Sequence, residues 1–271
     1  MDRAVEECTA VERKLVPSPR LRHLIEDKAE EVRNAVEREC TRANLEAEVR
    51  LDGSVAKDTW VRDYADVDVF MRVSPELTKQ ELRERCLPIA KKALKSHPIV
   101  ERFAEHPYIE STLDFEKGEL RVNVVPAYNV EKGKWLSATD RTPFHTEYVR
   151  EHLGRGQHDE VRLLKAFMRG IGAYGADIKT GGFSGMLCET LVISDGSFLK
   201  AVNDFSGWKE NRFVDVEGYY ERRSDEVHRI FREPLVVIDP VDKGRNLAAA
   251  VRLDQLWNFV AACRVFIEKP S

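Results

Sequence analysis

The sequence predicts an α+β protein, in which a domain with a mixed sheet and helices precedes a mainly helical domain. Three observations predict this class. Helical and strand-like patterns alternate through the first half of the chain, and helical periodicity dominates the second half. Hydrophobic residues make up 42% of the 271 residues and charged residues 33%, enough for both a buried core and a soluble surface. We place the boundary near residue 145, which predicts domains over 1–144 and 145–271.

Three local signals predict the first helix and the first strand: a helix cap, apolar residues at helical spacing and a Gly-Ser turn. Residues 18–47 are predicted to form a helix, because Ser18 is a suitable cap and Pro19 suits the first helical position. Apolar residues then recur at helical spacing. A short strand over 48–51 is predicted next, followed by a Gly-Ser turn and a brief helical turn near residue 59.

The rest of the first half is predicted to consist mainly of strands. The apolar run over 67–73 predicts a buried strand, and Thr78 begins an amphipathic helix that Pro88 is expected to bend or divide. Strand patterns fill residues 98–128. A Lys-Gly pair at 117–118 lies between two arms of alternating polarity, which predicts a hairpin.

The second half is predicted to be helical, with two strand-like interruptions at 212–216 and 234–238. Helical periodicity is found in HTEYVREHL, in DEVRLLKAFMRGIGAYG, over residues 185–200 and in LDQLWNFVAACRVFIEK. The last of these helices is expected to bury Leu253, Leu256, Phe259, Val260 and Val265.

Charge and composition argue against several classes of protein. The 43 Lys and Arg residues against 47 Asp and Glu give a formal charge of −4, so any polyanion site must be a local basic patch. No apolar run is long enough to span a bilayer, and the first residues are too acidic for a signal peptide. The five cysteines form no CxxC pair, which argues against a disulfide framework and a structural zinc. We therefore expect a soluble, cytoplasmic protein.

The most informative pattern is a Gly-Ser turn followed by two aspartates, Asp66 and Asp68. Residues two apart on a strand project from the same face, so these aspartates would present paired carboxylates, which suit Mg²⁺. Gly53 lets the backbone approach a ligand closely, and Ser54 offers a hydroxyl and an amide to phosphate. The pattern predicts a metal-triphosphate site. The alternative is an exposed strand that carries two solvated acids.

The segment GSVAKDTWVRDYADVDVF resembles the nucleotidyltransferase signature of the polymerase β superfamily, in particular its archaeal CCA-adding branch. Further blocks resemble that branch in the same order: AEHPYIES, RVNVVPAY, SATDRTPFH, DEVRLLKAF, GIGAYGADIKTGGFSGMLCE and VVIDPVDKGRNLAAAV. The resemblance runs from about residue 45 to the end. It implies a polymerase β-like nucleotidyltransferase domain and a central domain of the CCA-adding type. It also implies an enzyme that adds C, C and A to the 3′ end of tRNA from CTP and ATP, without a nucleic-acid template.

The resemblance implies a catalytic site in which three carboxylates hold two Mg²⁺ ions. Asp66 and Asp68 match the first two positions, although the family usually has Glu at the first. Asn123 stands at the third. Because asparagine carries no charge and cannot accept the hydroxyl proton, we expect weak metal binding and impaired turnover. Asp114 is expected opposite Arg121, on the other face from Asn123, and therefore offers no replacement.

The resemblance also implies a set of nucleotide-binding residues. Lys57 keeps the charge of the family's arginine but loses its fork. His145 and Lys165 resemble a pair that binds the triphosphate. Tyr174 resembles a residue that positions the phosphate tail or sugar, and Arg245 one that helps choose C or A. The full set expected to bind nucleotide is Gly53, Ser54, Lys57, His145, Lys165, Tyr174 and Arg245.

Several of these side chains also have a purely structural interpretation. His145 can be a capping or packing residue, and Lys165 can lie on the solvated face of an amphipathic helix. Arg245 can simply be a structural partner of Asp239 or Asp242, without a role in choosing the base. The sequence leaves these alternatives open.

The expected partners are the tRNA 3′ end and nucleoside triphosphates, and no membrane is expected. Archaeal CCA-adding enzymes continue past this point with domains that grip tRNA, so we expect catalytic and central domains alone and a weaker hold on tRNA. Two other functions stay open. One is a catalytically inactive protein that binds RNA or nucleotide, and the other is a nucleotidyltransferase with a different acceptor.

Overall fold

The computed structural model describes residues 2–103, 106–115, 118–209, 212–220 and 224–270. The chain forms two compact units. The first unit is Pro17–Glu147, and the second combines Met1–Val16 with Tyr148–Ser271. These bounds differ from the predicted division after residue 144, chiefly because the N-terminal helix belongs to the second unit. The predicted division into functional domains stays a prediction.

The elements in chain order begin with α1 (Asp2–Leu15), α2 (Pro19–Arg42), β1 (Ala47–Asp52), α3 (Gly53–Ala56), β2 (Asp66–Val73), α4 (Lys79–Ala93), β3 (Ile99–Arg102), β4 (Tyr108–Phe115) and β5 (Gly118–Tyr128). A 3₁₀ turn (Ala138–Arg141) follows, and then come α5 (Thr142–His152), α6 (Gln157–Gly170), α7 (Gly185–Asp195), α8 (Phe198–Ser206), β6 (Phe213–Val214), α9 (Ser224–Ile230), β7 (Val236–Asp239), β8 (Asp242–Asn246) and α10 (Leu253–Glu268).

Two helices of the first unit begin at the caps that the sequence predicts. The backbone N–H of Leu21 donates to the Ser18 side chain at 3.2 Å, which confirms the start of α2. This helix ends earlier than predicted, because Asn44 adopts a positive φ of 48° and turns the chain toward β1. Thr78 caps α4, and Pro88 does not divide that helix. Pro88 lies on an exposed position, where water can satisfy the carbonyl that loses its intrahelical partner.

The five-stranded sheet of the first unit has the order β1-β2-β5-β4-β3. Only the β2–β5 pair is parallel, so the predicted mixed sheet is confirmed. The predicted hairpin is β4–β5, in which Phe115 lies opposite Gly118; Lys117 itself falls outside the described residues.

The register of this hairpin corrects one expectation about the third carboxylate. Asp114 lies opposite Glu119, whereas Arg121 lies opposite Thr112. Asp114 therefore shares a sheet face with Asn123 and does not lie on the other one. It still offers no direct replacement, because four residues along a strand separate their positions by roughly 13 Å.

The two faces of the sheet differ in chemistry. Valines and other apolar residues of one face pack with α2 and α4 in the main core, among them Val67, Val69, Met71, Val122 and Val124. Because successive side chains alternate, Asp66, Asp68 and Asn123 project from the opposite face. The core thus fixes the strands that carry the candidate site.

The second unit contains the mainly helical part that the sequence predicts, and it also contains a three-stranded sheet, β6-β7-β8. The predicted helix over 185–200 is two helices, α7 and α8. Gly196 ends α7 with a positive φ of 89°, and the side chain of Ser197 caps α8 by accepting from Lys200 N–H.

The apolar face predicted for α10 is correct only in part. Leu256, Phe259 and Val260 are buried, but Leu253 and Val265 are 56% and 62% exposed. No helix in the described part of the chain combines the length and apolarity needed to cross a bilayer.

Candidate active site

Asp66 and Asp68 project from the same face at the start of β2, as the sequence predicts. The Asp66 side chain is 45% exposed, and its Oδ1 lies 3.7 Å from Nε of Arg121 on β5. Asp68 is only partly exposed. The strand therefore presents one accessible and one sheltered carboxylate.

Gly53 lies directly against Asp68. It adopts a positive φ of 76°, and a Cβ built on it would lie 2.0 Å from Asp68 Oδ2. No other residue fits here without displacing the carboxylate, so the glycine is required by close approach as well as by backbone conformation. Ser54 follows at the start of α3, which is Gly53–Ala56; the helical turn predicted near residue 59 is therefore placed too late.

Lys57 supplies positive charge beside these carboxylates. It follows α3 directly and is buried, with 7% exposure. Its charge is one of the influences that lower the pKa of Asp68. Lys57 is thus close enough to act on Asp68 electrostatically.

Asn123 lies beside Asp68 on the adjacent parallel strand. Its Nδ2 donates a hydrogen bond to Asp68 Oδ1 at 2.9 Å. Its own Oδ1 is buried and has no hydrogen-bond partner. The amide therefore directs a donor at the carboxylate that the predicted metal site needs as a ligand.

The sheltered carboxylates of this face are harder to ionise than free aspartate. Burial raises the pKa of Asp68 to about 7, against the hydrogen bond from Asn123, and the negative charge of Asp66 adds to the rise. Burial also raises the pKa of Asp52, the last residue of β1, to about 6, although the Arg50 charge opposes it. Shifts of this kind cluster at functional sites.

The polar residues on this face of the sheet can be compared with the ligands that the Mg²⁺ implied by the resemblance would need. Two carboxylates, Asp66 and Asp68, fit Mg²⁺, which takes few protein ligands when substrate phosphates complete its octahedron. Asn123 does not replace the third carboxylate in this arrangement, because its Nδ2 donates to Asp68 and only its neutral Oδ1 is left to accept from a donor or contact a cation. Among the described residues, no three His, Cys, Asp or Glu side chains converge as a ready-made metal cluster.

His145 lies on α5 and is 9% exposed. The turn before this helix is held by the buried carboxylate of Asp140, which accepts backbone hydrogen bonds from Tyr128, Leu136 and Ser137 at 2.7 to 2.9 Å. The SATD part of the motif is therefore a structural support for the helix that carries His145. The predicted contact of His145 with triphosphate stays a prediction.

In the second unit, Lys165 is buried and ion-paired. Its Nζ lies 2.8 Å from Oε1 of Glu189, and the two side chains are 3% and 0% exposed. The alternative of a solvated helix face is therefore wrong for Lys165. Sequence reasoning missed Glu189 as its partner, although this glutamate ends the GFSGMLCE block.

Tyr174 meets Lys165 at the first residue of α7. A Cβ on Gly185 would lie 3.2 Å from the Tyr174 hydroxyl and 3.6 Å from Lys165 Nζ. The guanidinium of Arg169 lies over the Tyr174 ring, 4.4 Å from its centroid. The structure thus brings together a hydroxyl and an ammonium group that the sequence places nine residues apart.

Arg245 lies on β8 beside a cavity of about 540 Å³, whose lining includes Ser184 and Asn246. Its Nη1 is 2.7 Å from Oδ2 of the buried Asp239. The pairing with Asp239 that the sequence left open is therefore confirmed, and it orients the guanidinium at the cavity. A role in choosing the base stays a prediction.

Two family models match the chain. The model described as "Nucleotidyltransferase domain" matches residues 30–135, and the model described as "tRNA nucleotidyltransferase, second domain" matches residues 159–271. The first match contains the carboxylate face of β2, and the second contains the Lys165–Glu189 pair.

Curated relatives are also similar to the chain. A CCA-adding enzyme of Methanopyrus kandleri is 38% identical over 96% of this chain and 55% of that protein. One from Archaeoglobus fulgidus is 43% identical over 81% of this chain and 47% of that protein, and one from Methanosarcina acetivorans is 39% identical over 97% and 54%. The chain spans about half the length of these curated relatives.

Solved structures show a similar fold at low identity. A Cid1 poly(U) polymerase bound to MgATP matches with a TM-score of 0.71 and 12% identity, over 97% of this chain and 94% of that one. CdnC of E. coli MS115-1 with ATP matches with a TM-score of 0.67 and 16% identity, over 98% and 93%. These likenesses agree with the predicted nucleotidyltransferase fold and concern the fold alone.

Proposed function

The chain belongs to the family of archaeal CCA-adding enzymes, and from this premise we propose that it transfers CMP and AMP from CTP and ATP to the 3′ end of tRNA without a nucleic-acid template. The observation that carries the proposal is the carboxylate face of β2. Asp66 and Asp68 project together from it, and Gly53 brings the backbone against Asp68.

In this proposal Asp66 and Asp68 hold Mg²⁺, while Gly53 and Ser54 give the triphosphate close access to the backbone. Bound Mg²⁺ would neutralise charge on the triphosphate and activate the tRNA 3′-hydroxyl. Lys57 adds a positive charge beside Asp68. We propose that the protein acts in the cytoplasm.

Two ion pairs within the second unit, Lys165–Glu189 and Arg245–Asp239, support the proposed nucleotide-binding roles there. Glu189 holds Lys165 Nζ beside the Tyr174 hydroxyl at the first residue of α7, which suits two contacts with phosphate oxygens. Arg245, oriented by Asp239, suits donation to a base edge. His145 on α5 is proposed to contact the triphosphate as well.

We further propose that turnover is impaired by Asn123. Its amide cannot take the proton of the attacking hydroxyl, and it donates to the carboxylate that metal binding requires. This hydrogen bond favours a second candidate function, a catalytically inactive protein that binds nucleotide or RNA.

The deciding experiment is nucleotide addition. The protein is incubated with Mg²⁺, labelled CTP or ATP, and tRNA that lacks its terminal CCA, with a parallel sample without tRNA. Label on the tRNA 3′ end supports the proposed function. Bound triphosphate without any product favours the inactive binder, and a product formed without tRNA indicates a different acceptor.

A further inference from the structure

Four polar side chains form a row across the sheet. Asp52 on β1 lies opposite Asp68 on β2, Asp68 lies beside Asn123 on β5, and Asn123 lies opposite Glu110 on β4. Residues that are directly opposite in a sheet share a face, with Cβ atoms about 4.5–5.5 Å apart in antiparallel pairs. The row therefore contains two acids besides Asp68, and either could supply the carboxylate that Asn123 lacks.

Glu110 is the weaker of the two. Asn123 separates it from Asp68 in the row. Its carboxylate already accepts two hydrogen bonds from Arg102, at 2.7 and 3.2 Å. Both donors reach the same oxygen, Oε1, and hydrogen bonds between charged groups are stronger than those between neutral ones. Glu110 is therefore already ion-paired with Arg102 on β3.

Asp52 differs in burial and in bonding. It is 1% exposed, and neither carboxylate oxygen receives a well-aligned hydrogen bond. Thr146 lies nearby, and Arg50 Nε lies 3.1 Å from Oδ2 without hydrogen-bond geometry. A buried carboxylate with only poorly aligned partners is costly, and buried charges are normally well paired or bind metal.

Arg50 does not belong to Asp52 alone. Its Nη1 contacts Glu147 at 2.9 Å and lies 3.9 Å from Glu48. One guanidinium thus serves three acids. Arg50 can keep Glu147 as its partner when Asp52 turns to another cation.

Asp68 is oriented toward both neighbours of the row. Its Oδ1 accepts from Asn123, and its Oδ2 lies against Gly53, the residue that follows Asp52. The oxygen that faces away from Asn123 is therefore on the β1 side. For a cation held on that side by Asp68, Asp52 is the nearest other acid of the row.

We propose that Asp52 supplies the third carboxylate of the metal site in this chain, in place of Asn123. The inference rests on the proposed function, since it concerns the same divalent cation. It requires Asp52 to exchange its contact with Arg50 for the cation, because no three acids converge in the described residues as they stand.

The test is Mn²⁺ binding to the whole chain without nucleotide, measured from the electron paramagnetic resonance signal of free Mn²⁺. We expect Asp52→Asn to weaken Mn²⁺ binding about tenfold or more, since even residues behind metal ligands cost this much. Asp66→Asn is the reference for a proposed ligand. Glu147→Gln is the matched control, because it removes another carboxylate from Arg50, and its affinity should stay within about twofold of the parent.

A rescue variant separates a ligand from a structural carboxylate. In the Asp52→Asn background, Asn123→Asp places a carboxylate on the other side of Asp68 and should restore most of the Mn²⁺ affinity. A merely structural Asp52 would give Asn123→Asp the same gain in Mn²⁺ affinity in the parent and in the Asp52→Asn background, whereas a ligand role predicts a larger gain in the Asp52→Asn background. Circular dichroism melting curves show whether each variant is folded.

The outcomes also separate this inference from the proposed function. Parent-like Mn²⁺ binding by Asp52→Asn, together with loss in Asp66→Asn, overturns the role of Asp52 and leaves the proposed function standing. No Mn²⁺ binding by the parent chain overturns the role of Asp52, while the proposed function is tested by nucleotide addition, in which substrate phosphates help to hold the cation. An equal gain from Asn123→Asp in the two backgrounds, measured on folded variants, overturns the inference as well.

Discussion

The side-chain amide of Asn123 donates a hydrogen bond to Oδ1 of Asp68 across 2.9 Å, between parallel strands β5 and β2. A carboxylate at position 123 would instead repel Asp68 unless a cation lay between them. Two carboxylates at these positions would need a cation between them, whereas Asn123 and Asp68 are held together by a direct hydrogen bond. It is therefore the place to begin testing activity.

We predict that Asn123→Asp raises Mg²⁺-dependent nucleotide addition by orders of magnitude, because a positioned general base contributes about 10²- to 10⁴-fold. The measurement is the initial rate of CMP addition to tRNA lacking its CCA end, over a Mg²⁺ titration. Asn203→Asp, an exposed change on α8, adds the same charge as a control. If the Asn123 variant is no faster than its parent, the third-carboxylate account of this site is wrong.

We predict that Asp66→Ala abolishes metal-dependent triphosphate binding and leaves the melting temperature near that of the parent. The Asp66 side chain is 45% exposed, and its ion pair with Arg121 at 3.7 Å is screened by solvent, so the loss of this pair should cost little stability. Isothermal titration with CTP, with and without Mg²⁺, measures the first effect, and a thermal melt measures the second. A collapse of folding would show that Asp66 is structural.

We predict that Gly53→Ala destabilises the fold by about 1–3 kcal/mol and also weakens triphosphate binding. The φ of 76° disfavours a side chain, and the new Cβ would lie 2.0 Å from Asp68 Oδ2. Urea denaturation provides the measurement. Gly170→Ala is the control, because a Cβ there meets nothing within 4 Å, and alanine at this helical position should be neutral or stabilise by up to about 1 kcal/mol. Equal effects of the two changes would contradict the close approach.

We predict that Lys165→Met destabilises the protein by about 3–5 kcal/mol, because it removes the ammonium partner of a fully buried glutamate, Glu189. Adding Glu189→Leu should recover most of this loss. The control is Lys134→Met, since Lys134 contacts Glu131 at the same 2.8 Å on an exposed surface and its loss should leave the urea midpoint unchanged. Equal losses from Lys165 and Lys134 would refute the argument from burial.

We predict that Asp195→Asn stabilises the protein by about 0.3–1 kcal/mol near pH 7.5, with a smaller gain near pH 4.5. Burial raises the pKa of Asp195, which also ends α7, where negative charge is unfavourable. A raised pKa in the folded state means that stability is lost as the pH rises through it. Asparagine removes this loss, so the gain must grow with pH.

Urea midpoints of the parent and the Asp195 variant at both pH values provide the check. Asp254 serves as a control, because its replacement by asparagine should change the stability in the opposite direction. It lies in the first turn of α10, and a hydrogen bond from Arg252 lowers its pKa. Asp254→Asn should therefore lower stability near pH 7.5. A gain for Asp195→Asn that does not depend on pH would contradict the titration argument.

Much of the first unit could be predicted because its signals are local. Ser18 and Thr78 mark helix starts through hydrogen bonds to nearby backbone, and alternation along β2 separates core valines from Asp66 and Asp68. Errors arose where tertiary context decided the outcome. Pro88 stays within α4 because its exposed side lets water replace a hydrogen bond, which no local pattern reveals.

The sequence by itself determined most elements of the first unit, the paired aspartates and the asparagine at the third position, since each depends on residue type and spacing along one segment. Only the tertiary structure decided which acids lie beside Asp68 and which partners hold Lys165 and Arg245. Asp52 and Asp68 are 16 positions apart in sequence, and Lys165 and Glu189 are 24 apart. Strand register and helix packing bring such pairs together, and both depend on contacts across the whole unit.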